Sequence, residues 1–313
     1  MTYSEIWHRI ATSYDDGEAR AIARILIEEL FGLSYADIVC GATEQLSADD
    51  TLRLDTAVRR IEQGEPLQHV LGYADFCGNR FCVNGSVLIP RPETEWLVDE
   101  GAKLMDGCIA SDETQHKAPH SPKRILDIGT GSGCIAISLK LRLGDAYVEA
   151  WDISEEALRT AQDNADALKA EVAFRKKDAL RADNTAAPWD LIVSNPPYIC
   201  DSERSAMDDN VLLHEPHTAL FVPDDDPLRF YRAIARYALL TLNIGGSLLF
   251  ECNTRYAEAT GTMLRDMGFE EVTVSDDCFG LPRFVRGSSP SQPAAPPNPP
   301  RRGGLSYPRL RKA

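Results

Sequence analysis

The chain has 313 residues, enough for about two domains with a sizeable core, and a formal net charge of −15. That acidity disfavours tight, non-specific attachment to a phosphate backbone and suits a soluble protein that could steer a basic partner. No apolar run reaches membrane-spanning length, and the first residues lack the basic and apolar regions of a secretory signal, so the expected setting is the cytoplasm with no membrane partner.

Residues 1–73 read as a helical domain. Ile22, Ile25, Leu26 and Leu30 recur at helical spacing, and Gly32 stops that helix. Ser34 and Ser47 each have an Asp three residues on, a capping-box pattern. Leu54, Val58 and Ile61 form the next stripe before Gly64, and residues 65–72 read as a connector. These stripes predict a small bundle and carry no chemistry of their own.

Residues 74–90 alternate as a hairpin linker, with Gly78-Asn79 as its turn and Cys77 facing Cys82. The eight cysteines form no Cys-x-x-Cys pair and read as reduced, mostly buried thiols. Next comes Ile89-Pro90-Arg91-Pro92-Glu93-Thr94-Glu95, in which two prolines brace Arg91 and Thr94-Glu95 opens a helix to about residue 105. Glu93 and Glu95 suit the positive end of that helix, and a role in function is an equal alternative. The polar stretch 106–123 reads as a surface insertion. Its His116 and His120 have no further ligands nearby, so no metal is expected.

From 91 to 286 the chain reads as an α/β domain. Strands are expected over 124–128, 146–151, 170–175, 190–194, 247–252, 271–275 and 283–286, and helices over 134–143, 154–168, 227–242 and 256–267. This rhythm predicts a mostly parallel, doubly wound sheet, and the last two strands, with no helix between them, predict an antiparallel edge hairpin. Residues 287–313 are rich in proline and basic side chains and are expected to be disordered.

Two stretches in this domain carry chemistry. Asp127-Ile128-Gly129-Thr130-Gly131-Ser132-Gly133 joins the first strand to its helix. The glycines let the backbone turn tightly and approach a ligand. The spacing is not that of a dinucleotide fingerprint, and Asp127 repels a pyrophosphate but suits a cation such as the sulfonium and amino group of S-adenosylmethionine. Asp152 ends the second strand, where a carboxylate accepts from a ribose diol, and Asp178 follows the third, where it can accept an adenine amine. Asn195-Pro196-Pro197-Tyr198 follows the fourth strand. Two prolines fix the turn and remove two donors. The Asn195 side-chain oxygen and the Pro196 carbonyl can each accept one hydrogen of a planar N–H₂ group, on which the Tyr198 ring can stack. Alone, this turn is also an ordinary tight loop. In register with Asp127, the glycines and Asp152, it marks a site.

These residues resemble the class I S-adenosylmethionine-dependent methyltransferases, with their Rossmann-like doubly wound sheet, and the Asn-Pro-Pro-Tyr turn narrows the likeness to enzymes that methylate a planar amino nitrogen. Ile89 to Glu95, together with Glu65-Pro66-Leu67-Gln68, is similar to the HemK/PrmC family, as are His214-Glu215-Pro216, Ala219-Leu220 and Gly280-Leu281-Pro282-Arg283. That family methylates N5 of the glutamine in the Gly-Gly-Gln motif of peptide chain release factors and binds them through its N-terminal helical domain. The resemblance implies that Gly129, Thr130, Gly131, Ser132, Gly133 and Asp152 hold the cofactor, that Asn195 touches both cofactor and substrate, and that Asn195, Pro196, Pro197 and Tyr198 grip the glutamine. Ala179 stands where relatives often place a larger side chain over the adenine. Glu251-Cys252-Asn253 replaces the usual Glu-Ile-Gly, and Tyr256 replaces a frequent Gln. The product would be S-adenosylhomocysteine and the working form a monomer that needs no nucleic acid. A ribosomal-protein glutamine, an exocyclic amine of nucleic acid and a non-catalytic adaptor role are the rival readings.

Overall fold

The computed structural model describes residues 1–110, 122–182 and 188–291. Helix α1 (Tyr3–Ile10) begins with a capping box between Thr2 and Glu5. Helix α2 (Asp16–Phe31) is capped by the Asp15 carboxylate and ended by Gly32 at φ +65°. Helix α3 (Tyr35–Val39) starts on the Ser34–Asp37 capping box, and α4 (Ala48–Glu62) on Ser47. Ile6, Ile10, Leu26, Ile27, Leu54 and Val58 close these helices around a core of their own. The expected connector is instead a short helix, α5 (Leu67–Leu71), which Pro66 precedes and Gly72 ends.

Strands β1 (Tyr73–Phe76) and β2 (Asn79–Cys82) form the hairpin, but its turn is Cys77-Gly78, both residues at positive φ, not Gly78-Asn79. Cys82 therefore pairs with Tyr73 and does not face Cys77. The cysteines are also less buried than expected: Cys134, Cys200 and Cys252 are buried, whereas Cys40, Cys82 and Cys278 are exposed. Pro92–Thr94 makes one 3-10 turn before α6 (Glu95–Ala110), which continues past the expected end near residue 105. His116 and His120 lie outside the described residues.

The α/β part runs β3 (Arg124–Ile128), α7 (Cys134–Leu143), β4 (Tyr147–Asp152), α8 (Glu155–Leu168), β5 (Val172–Lys176) and β6 (Trp189–Ser194). There follows a segment to which the sequence assigned no element: β7 (Ile199–Cys200), α9 (Asp209–His214), α10 (His217–Leu220) and β8 (Phe221–Val222). Then come α11 (Arg229–Thr241), β9 (Leu242–Glu251), α12 (Ala257–Met267), β10 (Glu270–Asp276) and β11 (Pro282–Ser288).

The seven-stranded sheet has the order β10-β11-β9-β6-β3-β4-β5. Strands β9, β6, β3, β4 and β5 are parallel, and β11 is antiparallel to both its neighbours. Of the expected edge hairpin only β10 lies at an edge of the sheet, because β11 inserts between it and β9. The burial pattern explains this. Phe284 and Val285 of β11 are fully buried, which contributes roughly 2 kcal/mol each, whereas no residue of β10 is buried. Pairing also carries β11 two residues past residue 286, and Ser289 still donates to the Gly246 carbonyl, so the ordered chain extends beyond the expected start of the tail. The chain leaves β3 for β4 on one side and returns through β6 on the other. That reversal opens a crevice at the C-terminal ends of β3 and β6, where such sheets bind ligands.

Candidate active site

The turn after β3 lines one wall of the crevice. The Gly129 and Thr130 amides both donate to the Trp151 carbonyl at 2.9 Å, binding the turn to the end of β4. Gly131 has φ +55°, and a Cβ built on it meets nothing within 4 Å, so the space over the turn is open. Gly133 has φ +81°, and a Cβ there would lie 2.9 Å from Ile137 Cδ1 and 3.1 Å from Ala161 Cβ, so glycine is required for helix packing. Thr130 and Ser132 are both buried.

Asp127 is completely buried beneath this turn. Its Oδ2 accepts from Thr130 Oγ1 at 2.6 Å, and its Oδ1 has no hydrogen-bond partner among the described residues. Burial pushes its pKa up to about 7 against the opposing bond from Thr130. A buried acceptor with a lone pair to spare suits a cation. At the end of β4, Asp152 accepts from the Gly131 amide through Oδ2 and the Ser154 amide through Oδ1, both at 2.9 Å. Burial raises its pKa as well. Each of its oxygens keeps a lone pair for a diol. Asp178 accepts from the Leu180 amide at 2.9 Å and stays half-buried, and Ala179 packs on the core beside it.

The Asn195 turn forms the opposite wall. Ser194 Oγ donates to the Ile128 carbonyl at 2.6 Å, locking the end of β6 to the end of β3. The Asn195 carbonyl lies 3.9 Å from the position of a Cβ on Gly129, so the two turns are neighbours. Pro196 is buried, while Asn195, Pro197 and Tyr198 are half-buried. Asn195 Nδ2 points to Thr94 Oγ1 at 3.4 Å, which leaves Oδ1 with no partner among the described residues. The Tyr198 hydroxyl donates to Glu251 Oε1 at 3.3 Å, and its ring packs on the core under the crevice. Burial and the Glu251 charge push the Tyr198 phenol well above its ordinary value.

Several supporting residues were not assigned from the sequence. Thr94 donates to Glu251 Oε2 at 2.7 Å, and both are buried. Arg91 pairs with buried Glu215 at 2.6 Å, tying the proline-braced stretch to the segment after the Asn195 turn. Glu95 does not simply face solvent at a helix start, because its Oε1 accepts from the Cys77 amide at 2.6 Å. Asn164 of α8 accepts from the Cys82 amide and donates to the Cys82 and Ser132 carbonyls, so it joins the hairpin to the glycine turn. It lies with Thr160 on a buried face otherwise formed by Ala157, Ala161 and Ala165, and that polar break was visible in the sequence.

Residues 8–72 match the family model of the PrmC N-terminal domain, and residues 96–220 that of the methyltransferase small domain. A release factor glutamine methyltransferase of Bacteroides thetaiotaomicron is 44% identical over 273 residues, covering 87% of this chain and 93% of the relative. One of Flavobacterium psychrophilum is 36% identical over 281 residues, covering 88% and 94%. Among solved structures, the hMettl16 catalytic domain, crystallised with a MAT2A 3′UTR hairpin, matches with a TM-score of 0.50 at 17% identity over 80% of this chain and 84% of that one. That likeness is one of fold, the class I methyltransferase sheet. With identity of this degree running through both the helical domain and the sheet, the chain belongs to the family of release factor glutamine methyltransferases.

Proposed function

We propose that this chain methylates N5 of the glutamine in the Gly-Gly-Gln motif of a peptide chain release factor, with S-adenosylmethionine as methyl donor. The names of its relatives supply the substrate class. The observation that carries the chemistry is Asn195: its Nδ2 is engaged by Thr94, and its Oδ1 is left to accept.

The residues around the glycine turn fit the cofactor. The unpartnered oxygen of Asp127 answers its positive charge, the space over Gly131 admits it, and Asp152 answers its ribose. Thr130, Ser132 and Gly133 shape the turn, with Asp178 and Ala179 at the adenine side. When bound, S-adenosylmethionine supplies a methyl group made electrophilic by its sulfonium.

The amide nitrogen of glutamine is a poor nucleophile, because its lone pair is delocalised. Asn195 Oδ1 and the Pro196 carbonyl accept its two hydrogens, orient the nitrogen and let electron density build there as the new bond forms. Pro197 holds the turn rigid, and the Tyr198 ring covers the planar amide. Positioning and electrostatics supply most of the acceleration. A strong base is not required, since the nitrogen becomes acidic only after methyl transfer. The reading extends to a cytoplasmic monomer that acts on protein without nucleic acid. The charge of −15 supports the last point, and no helix among the described residues is long and apolar enough to cross a membrane.

The test is to incubate the protein with S-adenosylmethionine and unmodified release factor, then read the Gly-Gly-Gln peptide by mass spectrometry. One added methyl on that glutamine is expected. Asn195→Ala should lower turnover about a hundredfold or more with little change in cofactor affinity. Label found only on a ribosomal protein or on nucleic acid would keep the chemistry and overturn the partner.

A further inference from the structure

We infer that Glu251 is the positioning residue that decides which way the Asn195 amide faces, acting through the Thr94 hydroxyl, and that it holds the Tyr198 ring by the same carboxylate. The reading deepens the proposed function at its own site.

The number of protons available fixes the direction of each bond. Thr94 Oγ1 has one. It lies 2.7 Å from Glu251 Oε2 and 3.4 Å from Asn195 Nδ2. An ionised carboxylate only accepts, so the threonine proton is committed to Glu251. The Thr94 oxygen then offers only lone pairs to Asn195, and only the N–H₂ half of the amide can answer. Oδ1 is thereby turned away from Thr94 and left to accept from a substrate amide. The other carboxylate oxygen accepts from the Tyr198 hydroxyl at 3.3 Å. Tyr231, from α11, donates to the Glu251 backbone carbonyl at 3.2 Å and fixes the end of β9. One buried side chain thus orients both groups placed to grip the substrate.

Protonation would reverse the chain of bonds. A carboxylic acid at Oε2 donates to Thr94, Thr94 donates to Asn195, and the amide must then present Oδ1 to Thr94 and its N–H₂ to the substrate, donor against donor. The groups facing Glu251 are Thr94 and Glu93 from the turn before α6, Tyr198 after β6, Tyr231 from α11, the adjoining Cys252 and Arg283 from β11. Burial raises the Glu251 pKa and Glu93 adds to it, while Thr94, Arg283 and Tyr198 oppose it, and burial wins. Turnover should therefore be level at high pH and fall as pH drops through this raised value.

The test compares Thr94→Val, Thr94→Ser and Glu251→Gln with the parent protein, using release factor as substrate. Thr94→Val should lower kcat about tenfold or more with unchanged cofactor affinity, and Thr94→Ser, which keeps the hydroxyl, should recover most of the loss. Glu251→Gln should be slow at every pH and lose the acidic limb of the profile. With cofactor saturating, so that the Asp127 charge does not limit the rate, a Thr94→Val enzyme within twofold of the parent, or an acidic limb that survives in Glu251→Gln, would overturn the assignment. Should Glu251→Gln not fold, the threonine pair decides the matter. The side-chain amide NMR signals of Asn195 give a readout that needs no substrate. They should move on acidification of the parent protein and in Thr94→Val, but little in Thr94→Ser. Signals unchanged throughout would sink the relay whatever the substrate, whereas an inactive parent with the expected shifts would sink only the release-factor reading.

Discussion

Asp127 has lost all contact with solvent, yet only one of its oxygens has a hydrogen-bond partner among the described residues. Burial pushes its pKa up to about 7, against about 3.9 for an unfolded chain. Because the folded value is the higher, the stability linked to this group is fully present below about pH 4 and is lost as pH rises through about 7. At pH 8 the ligand-free protein therefore holds a buried charge with hydrogen bonds but no cation beside it, which the proposed cationic cofactor would relieve. Asp127→Asn should raise the stability of the ligand-free protein at pH 8 by on the order of 1–2 kcal/mol, with the gain gone near pH 4. It should also weaken cofactor binding at pH 8 by about tenfold or more. Thermal melts at the two pH values and calorimetric titration check both parts. A variant that is no more stable at pH 8 and binds the cofactor as well as the parent would remove the cation-binding role.

Elements bring together what the sequence separates, and this divides what was legible from what was not. The glycine turn and the Asn-Pro-Pro-Tyr turn could be read because each is a local demand: positive φ in one, two fixed φ angles in the other. Thr94, Glu251 and Asn164 could be given no role, since their partners lie 157, 101 or 82 residues away along the chain. Strand β11 was foreseen as a strand, but its place inside the sheet follows from which of two adjacent strands buries Phe284, and that depends on Trp96 of α6, which stacks on it at 4.3 Å. The segment from β7 to β8 lacks any helix of seven residues or more and so gave no periodic signal. Asn164 shows the consequence of such non-local ties. Asn164→Ala would leave the Cys82 amide and the Cys82 and Ser132 carbonyls without this partner, at about 2–3 kcal/mol. Because one of the three bonds ends on the glycine turn, cofactor affinity should fall along with the melting temperature. Loss of stability with cofactor affinity intact would confine Asn164 to holding the hairpin.

At the scale of the whole molecule, the hairpin is the joint between two separately packed parts. Arg80 of β2 reaches Glu29 of α2 at 2.9 Å and lies over the Tyr73 ring at 4.2 Å, while Asn164 anchors the same hairpin to α8 and the glycine turn. A protein substrate that spans both parts meets an acidic chain with a net charge of −15. Charge of one sign over a wide surface speeds encounter with a basic partner but leaves the chemical step untouched. The screening length falls from about 10 Å at 0.1 M salt to about 3 Å at 1 M. For a release factor whose docking face is basic, added salt should lower kcat/KM by about tenfold over that range, with kcat at saturation unchanged. A short, neutral peptide containing the glutamine should show almost no salt dependence, because it engages the Asn195 turn and little of the surface. Steady-state kinetics on both substrates distinguish the two cases. If the intact protein proves as indifferent to salt as the peptide, recognition rests on apolar contact, and the charge of the chain serves solubility alone.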